Sequence, residues 1–158
     1  MKYNVNRILK TLYRDGYCVV QDVLSHKKCN KMINSLEKLK NKISKNKHFR
    51  DENSKSGQVI IRDLILRDPK SFLFLIDNKL IIKVLKTAFK DTFILDNCMA
   101  SNSVSVKDNY SGLVHIDSHL SSKDNKNTSD IVAMYCFNDF TKDNGATKIW
   151  PGSHLSGI

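Results

Sequence analysis

What this 158-residue chain has least of narrows the field first. No stretch reaches the ~18 apolar residues that a membrane-spanning helix requires, which leaves no membrane partner to expect. The opening MKYNVNRILK has no apolar core of the kind a secretory signal carries. Cysteine is sparse: Cys18, Cys29, Cys98 and Cys136 stand far apart, form no C-x-x-C pair and sit among apolar neighbours. Buried, reduced thiols fit that pattern better than a disulfide frame or a zinc site, and a reducing cytoplasm is the expected compartment. A single tryptophan and no basic-aromatic motif leave nothing with which to read nucleic acid, so none is expected as a partner. Acidic residues are few, 16 against 26 Lys+Arg, giving a formal charge of +10. The ordinary reading of so many scattered lysines is a solvated basic surface, one that suits small anionic substrates.

What is present is ordinary for a globular protein, with 41% hydrophobic and 27% charged residues. One domain is expected over residues 1–158, and no internal repeat is visible. Asn6 to Arg14 reads as a short amphipathic helix through Ile8, Leu9, Leu12 and Tyr13. Asp15-Gly16 is a turn signal, and Tyr17 to Val20 a short strand. Ser25 is a plausible cap for a helix whose apolar positions Cys29, Met32, Ile33, Leu36, Leu39 and Ile43 follow helical spacing. Ser44 to Gln58 is polar and reads as a loop in which His48 is a bystander. Val59 to Leu66 is apolar, and Pro69 marks a new start. Two further helices are predicted over Ser71 to Asp77 and Lys79 to Lys90, the second with a core stripe of Leu80, Ile81, Val84, Leu85, Ala88 and Phe89.

From Thr92 onward the period becomes alternating. Strands are predicted at Phe93 to Leu95, Ser101 to Val106, around His115 and Asp117, Ile131 to Phe137 and Ala146 to Trp150, with turns between them. Helices followed by strands make an α+β pattern with a β-sandwich or barrel core.

The chain is organised around Gly112 to Leu120, GLVHIDSHL. On a strand, residues i and i+2 share a face, so His115 and Asp117 would project together. An imidazole and a carboxylate held that way are two-thirds of a 2-His-1-carboxylate facial triad, which grips non-haem Fe(II) and leaves positions open for substrates. An H-x-D triplet alone is weak; its company is what matters. RDGYCVVQDVLS lies near the N-terminus, and NDFTKDNGATKIWPGSH runs from Asn138 to His154.

With those three pieces in that order, the sequence resembles the phytanoyl-CoA dioxygenase family of Fe(II)- and 2-oxoglutarate-dependent oxygenases. The family shows a D-G-[YF]-x-V start, an H-x-D iron motif and a D-x-T-x-x-N-G segment that closes on P-G-S-H. The resemblance implies N-terminal helices packed on a double-stranded β-helix, the cupin-like jelly roll. It implies that His115 and Asp117 are iron ligands and catalytic residues, with 2-oxoglutarate as cosubstrate, O2 as oxidant and a small molecule as substrate. Asp117 favours hydroxylation, since related halogenases have a small residue there. Thr147 and Asn102 are candidates to contact 2-oxoglutarate, whose far carboxylate would meet an arginine, a planar cation suited to it. For Asn144-Gly145 and Pro151-Gly152, two turns are a sufficient account.

The family's second iron histidine and its arginine lie beyond the P-G-S-H turn, whereas this sequence stops at Ile158. Of the histidines present, His119 suits a barrel-facing or rim role, His154 a turn-stabilising one, and His26 lies near a helix start. A jelly roll needs about eight strands, and roughly half are legible. The expectation is therefore an incomplete roll, the N-terminal portion of a longer oxygenase, with a complementary C-terminal fragment as a partner. The alternative is a non-catalytic remnant or interaction fragment of such a domain.

Overall fold

The computed structural model describes residues 3–43, 52–53, 59–90, 92–102, 114–115, 117 and 128–156. Its elements run α1 (Val5–Asp15), α2 (His26–Ile43), β1 (Glu52–Asn53), β2 (Val59–Ile61), α3 (Leu64–Arg67), α4 (Pro69–Ile76), α5 (Lys79–Phe89) and β3 (Ala100–Ser101). The α+β class is as expected: a helical layer beside one small antiparallel sheet, ordered β1-β2-β3.

Four of the five helices begin where a side chain takes up orphan backbone donors, and α3 starts at Asp63 without such a cap. Asn4 Oδ1 accepts from Arg7 N at 3.1 Å to open α1. Ser25 Oγ accepts from Lys28 N at 3.3 Å to open α2. Asp68 does the same for Ser71 N, ahead of a proline that needs no partner in the first turn of α4. Asn78 Oδ1 accepts from both Leu80 N and Ile81 N to open α5.

The apolar stripes then find each other. Met32 and Leu39 of α2, Val59 and Ile61 of β2, Leu64 of α3, and Phe72 and Leu75 of α4 form the larger core, with Tyr135 and Phe137 packed on its side. A smaller core joins Val5 and Leu9 of α1 to Val84 and Ala88 of α5, with Ile131 against it. Ile131, Tyr135 and Phe137 therefore face inward, while Val132 and Met134 face out.

Several local expectations need correcting. Glu52–Asn53, placed in the polar loop, instead pairs with β2 in the register Glu52–Ile60 and Asn53–Val59. Tyr17 to Val20 and Phe93 to Leu95 are irregular rather than strand. Ile131 to Phe137 turns Ile131, Tyr135 and Phe137 inward but leaves Ala133 exposed and has no ladder, and Ala146 to Trp150 is likewise not a strand. The physical reason is the same for both: among the described residues neither run is joined to another strand by a ladder, the backbone bonds at Ala146 and Trp150 being turn bonds to Thr141 and Ser153. The small sheet is all the strand structure among the described residues. Of the strand expected over Ser101 to Val106, only Ser101 lies in β3; residues 103–106 fall outside the described part. So do the turn at 107–112, most of the polar loop at 121–129, His48, His119 and the side chain of Ile43.

The thiols are free, as expected, but less buried than expected: Cys18, Cys29 and Cys98 are half-buried and Cys136 is exposed. Burial pushes the Cys98 thiol above its ordinary range, so it stays protonated at neutral pH.

Candidate functional site

His115 and Asp117 flank Ile116 in the H-x-D triplet, and the structure brings their polar ends together. His115 Nε2 stands 3.2 Å from Asp117 Oδ1. The two side chains are 58% and 67% exposed, so solvent and a solute both reach the pair. A protonated Nε2 donates to the carboxylate at this distance, and a metal would take the place of that proton.

The donor set can be tested against an iron ion directly. Two adjacent donors on an octahedral first-row metal, each about 2.0–2.2 Å away, lie roughly 3 Å apart. The observed 3.2 Å is close to that edge, and one imidazole nitrogen with one carboxylate oxygen is the right chemistry for Fe(II). Two donors do not complete a facial triad. Among the described residues no third His, Cys, Asp or Glu gathers with another two into a metal-holding group.

The other candidates are engaged elsewhere. Asn102 Oδ1 accepts from Val59 N at 2.6 Å, and Asn102 N donates to Val59 O at 3.2 Å, so this residue continues the β2–β3 pairing past Ser101. Thr147 is exposed and its hydroxyl lies 3.8 Å from the Met134 sulfur. Asn144 is a turn residue: its Oδ1 accepts from Thr141 N at 2.8 Å and its Nδ2 donates to Asp139 O at 2.6 Å. Gly145 and Gly152 have φ of +83° and +78°, as the two-turn reading requires.

Two contacts were not anticipated. Tyr135 Oη donates to Leu75 O at 2.9 Å, and burial pushes the phenol up to about 12. The second is the seat of His154, whose Nε2 lies 3.0 Å from the carbonyl of Tyr13 at the end of α1. The sequence signalled only that both regions turn, not that the turns meet.

The profile of the family described as phytanoyl-CoA dioxygenase (PhyH) matches residues 12–158. The chain belongs to that family, whose members are oxygenases generally dependent on Fe(II) and 2-oxoglutarate. No curated protein matches it, and no solved structure does. Among the described residues, no helix is long and apolar enough to cross a membrane.

Proposed function

We propose that this chain carries the first half of the site of an Fe(II)/2-oxoglutarate-dependent dioxygenase that hydroxylates a small molecule. The observation that carries the reading is the 3.2 Å approach of His115 Nε2 to Asp117 Oδ1, inside a family match that begins at residue 12. On this reading the pair supplies two of the three iron ligands, and the family's jelly roll is the complete fold, although the described residues form only one three-stranded sheet and no jelly roll. Iron, when bound, supplies an open coordination face on which 2-oxoglutarate and O2 can meet.

The chain's own share is positional. An imidazole and a carboxylate two residues apart stand with their donor atoms 3.2 Å from each other, so little side-chain reorganisation accompanies ligation. Exposure of both groups leaves the open side accessible to cosubstrate and substrate. Asp117 fills a position that would otherwise admit halide, which selects hydroxylation as the outcome. Thr147 and Asn102 are offered as 2-oxoglutarate contacts; for Asn102 that role requires giving up the bond to Val59 N.

Anaerobic equilibrium dialysis against Fe(II) tests the reading. Weak uptake, short of one ion per chain, is expected of a two-donor half-site, with binding lost in both His115→Ala and Asp117→Ala. Fe(II) uptake that is the same in both variants as in the parent chain would refute the assignment.

A further inference from the structure

The sequence carries two glycine turns that the metal site does not use, and the structure puts them against each other. Asp15-Gly16 ends α1, and Pro151-Gly152-Ser153-His154 ends the extended run from Ala146 to Trp150. Gly152 N donates to Asp15 O at 2.9 Å. His154 Nε2, across 141 residues of chain, donates to Tyr13 O at 3.0 Å. Tyr13 lies in the last turn of α1, where carbonyls have no intrahelical partner, so the imidazole acts as a helix cap delivered from the far end of the chain.

Gly16 is fixed by two separate demands. Its φ is +81°, a left-handed cap whose own N–H returns to Leu12 O at 2.8 Å. A Cβ built on it would also lie 2.6 Å from His154 Nδ1, inside any real contact distance. The imidazole therefore occupies the volume that a side chain at position 16 would need. Gly152 has open space around its would-be Cβ, so its glycine answers to the backbone alone, at φ +78°. Around His154 the facing groups are the Tyr13 carbonyl, Gly16 and the Asp15 carboxylate. The Asp15 carboxylate is held below its usual range chiefly by the hydrogen bond from Arg14, whose Nε lies 2.6 Å from Asp15 Oδ1.

We propose that the D-G and P-G-S-H turns are the two halves of one intramolecular clasp, closed by the His154 ring over Gly16. The clasp fastens residues 146–156 to the helical layer. It is a local device. The α1–α5 core of Val5, Leu9, Val84 and Ala88 does not include either turn, so opening the clasp frees the C-terminal run and leaves that core folded.

Amide hydrogen exchange on the full chain tests this, read at Gly152 and at Leu9. His154→Ala should speed exchange at Gly152 by about fivefold or more, the factor that one lost hydrogen bond carries, with Leu9 unchanged. Gly16→Ala should do the same, and the double variant should fall short of the product of the two, because the ring and the methyl compete for one space. Should Gly16→Ala not fold, His154→Gln decides instead: its amide can still donate to Tyr13 O and should recover part of the Gly152 protection that alanine loses. Unchanged protection at Gly152 in His154→Ala, or equal loss at Gly152 and Leu9, would overturn the clasp.

Discussion

At the scale of single residues, burial ranks the side chains by what their loss would do. Phe72 is fully buried (0% exposed) at the centre of the larger core, between α2, β2 and α3. Phe72→Ala removes a ring that packing cannot replace and should cost about 3–5 kcal/mol in urea unfolding. Tyr135 is the more informative case. It is half-buried, donates to the Leu75 carbonyl, and has its phenol raised to about 12 by burial. A phenol that holds its proton more tightly folded than unfolded contributes stability fully present below the unfolded value near 10. That stability drains away as pH climbs from there toward about 12. Alkaline unfolding should therefore begin at higher pH in Tyr135→Phe, which has no proton to lose, even though at neutral pH the variant should be about 1 kcal/mol less stable for its stranded carbonyl. Identical alkaline midpoints for the two proteins would contradict the assignment.

At the scale of elements, helices and strands divided sharply in how far the sequence revealed them. Every expected helix is present, because its evidence is local: a three-to-four-residue stripe and a cap, both contained in the segment itself. Asn78 shows how much one residue can carry, since its carboxamide oxygen accepts two amides at the start of α5. Asn78→Ala should cost about 1 kcal/mol and lower Tm by about 3 °C in a scanning calorimeter. Strands need a partner that sequence alone does not name. Glu52–Asn53 was hidden in a polar loop and pairs with β2, whereas Ile131 to Phe137, apolar as a buried strand would be, pairs with no described strand. Asn102→Ala should loosen the end of the β2–β3 ladder, read as faster exchange of the Val59 amide.

At the scale of the whole molecule, the same division explains the site. The closeness of His115 to Asp117 is a short-range relation between residues two apart, although the strand expected to carry them is absent: residues 114–115 are irregular and Asp117 sits at a bend. The docking of His154 on Gly16 was not legible, because it joins positions 141 and 138 residues apart along the chain, and nothing in either motif points to the other. Family membership over residues 12–158 ties the H-x-D pair to an oxygenase scaffold, and the central claim is that the pair is a metal half-site. Histidine ring resonances of the full chain, followed during titration with paramagnetic Co(II) in place of the oxidisable ferrous ion, test it most directly. Of the five imidazoles, that of His115 should shift and broaden first, and Asp117→Asn should abolish the effect. A first response at His26 or His154 with His115 unmoved, or a His115 response indifferent to Asp117, would contradict the account.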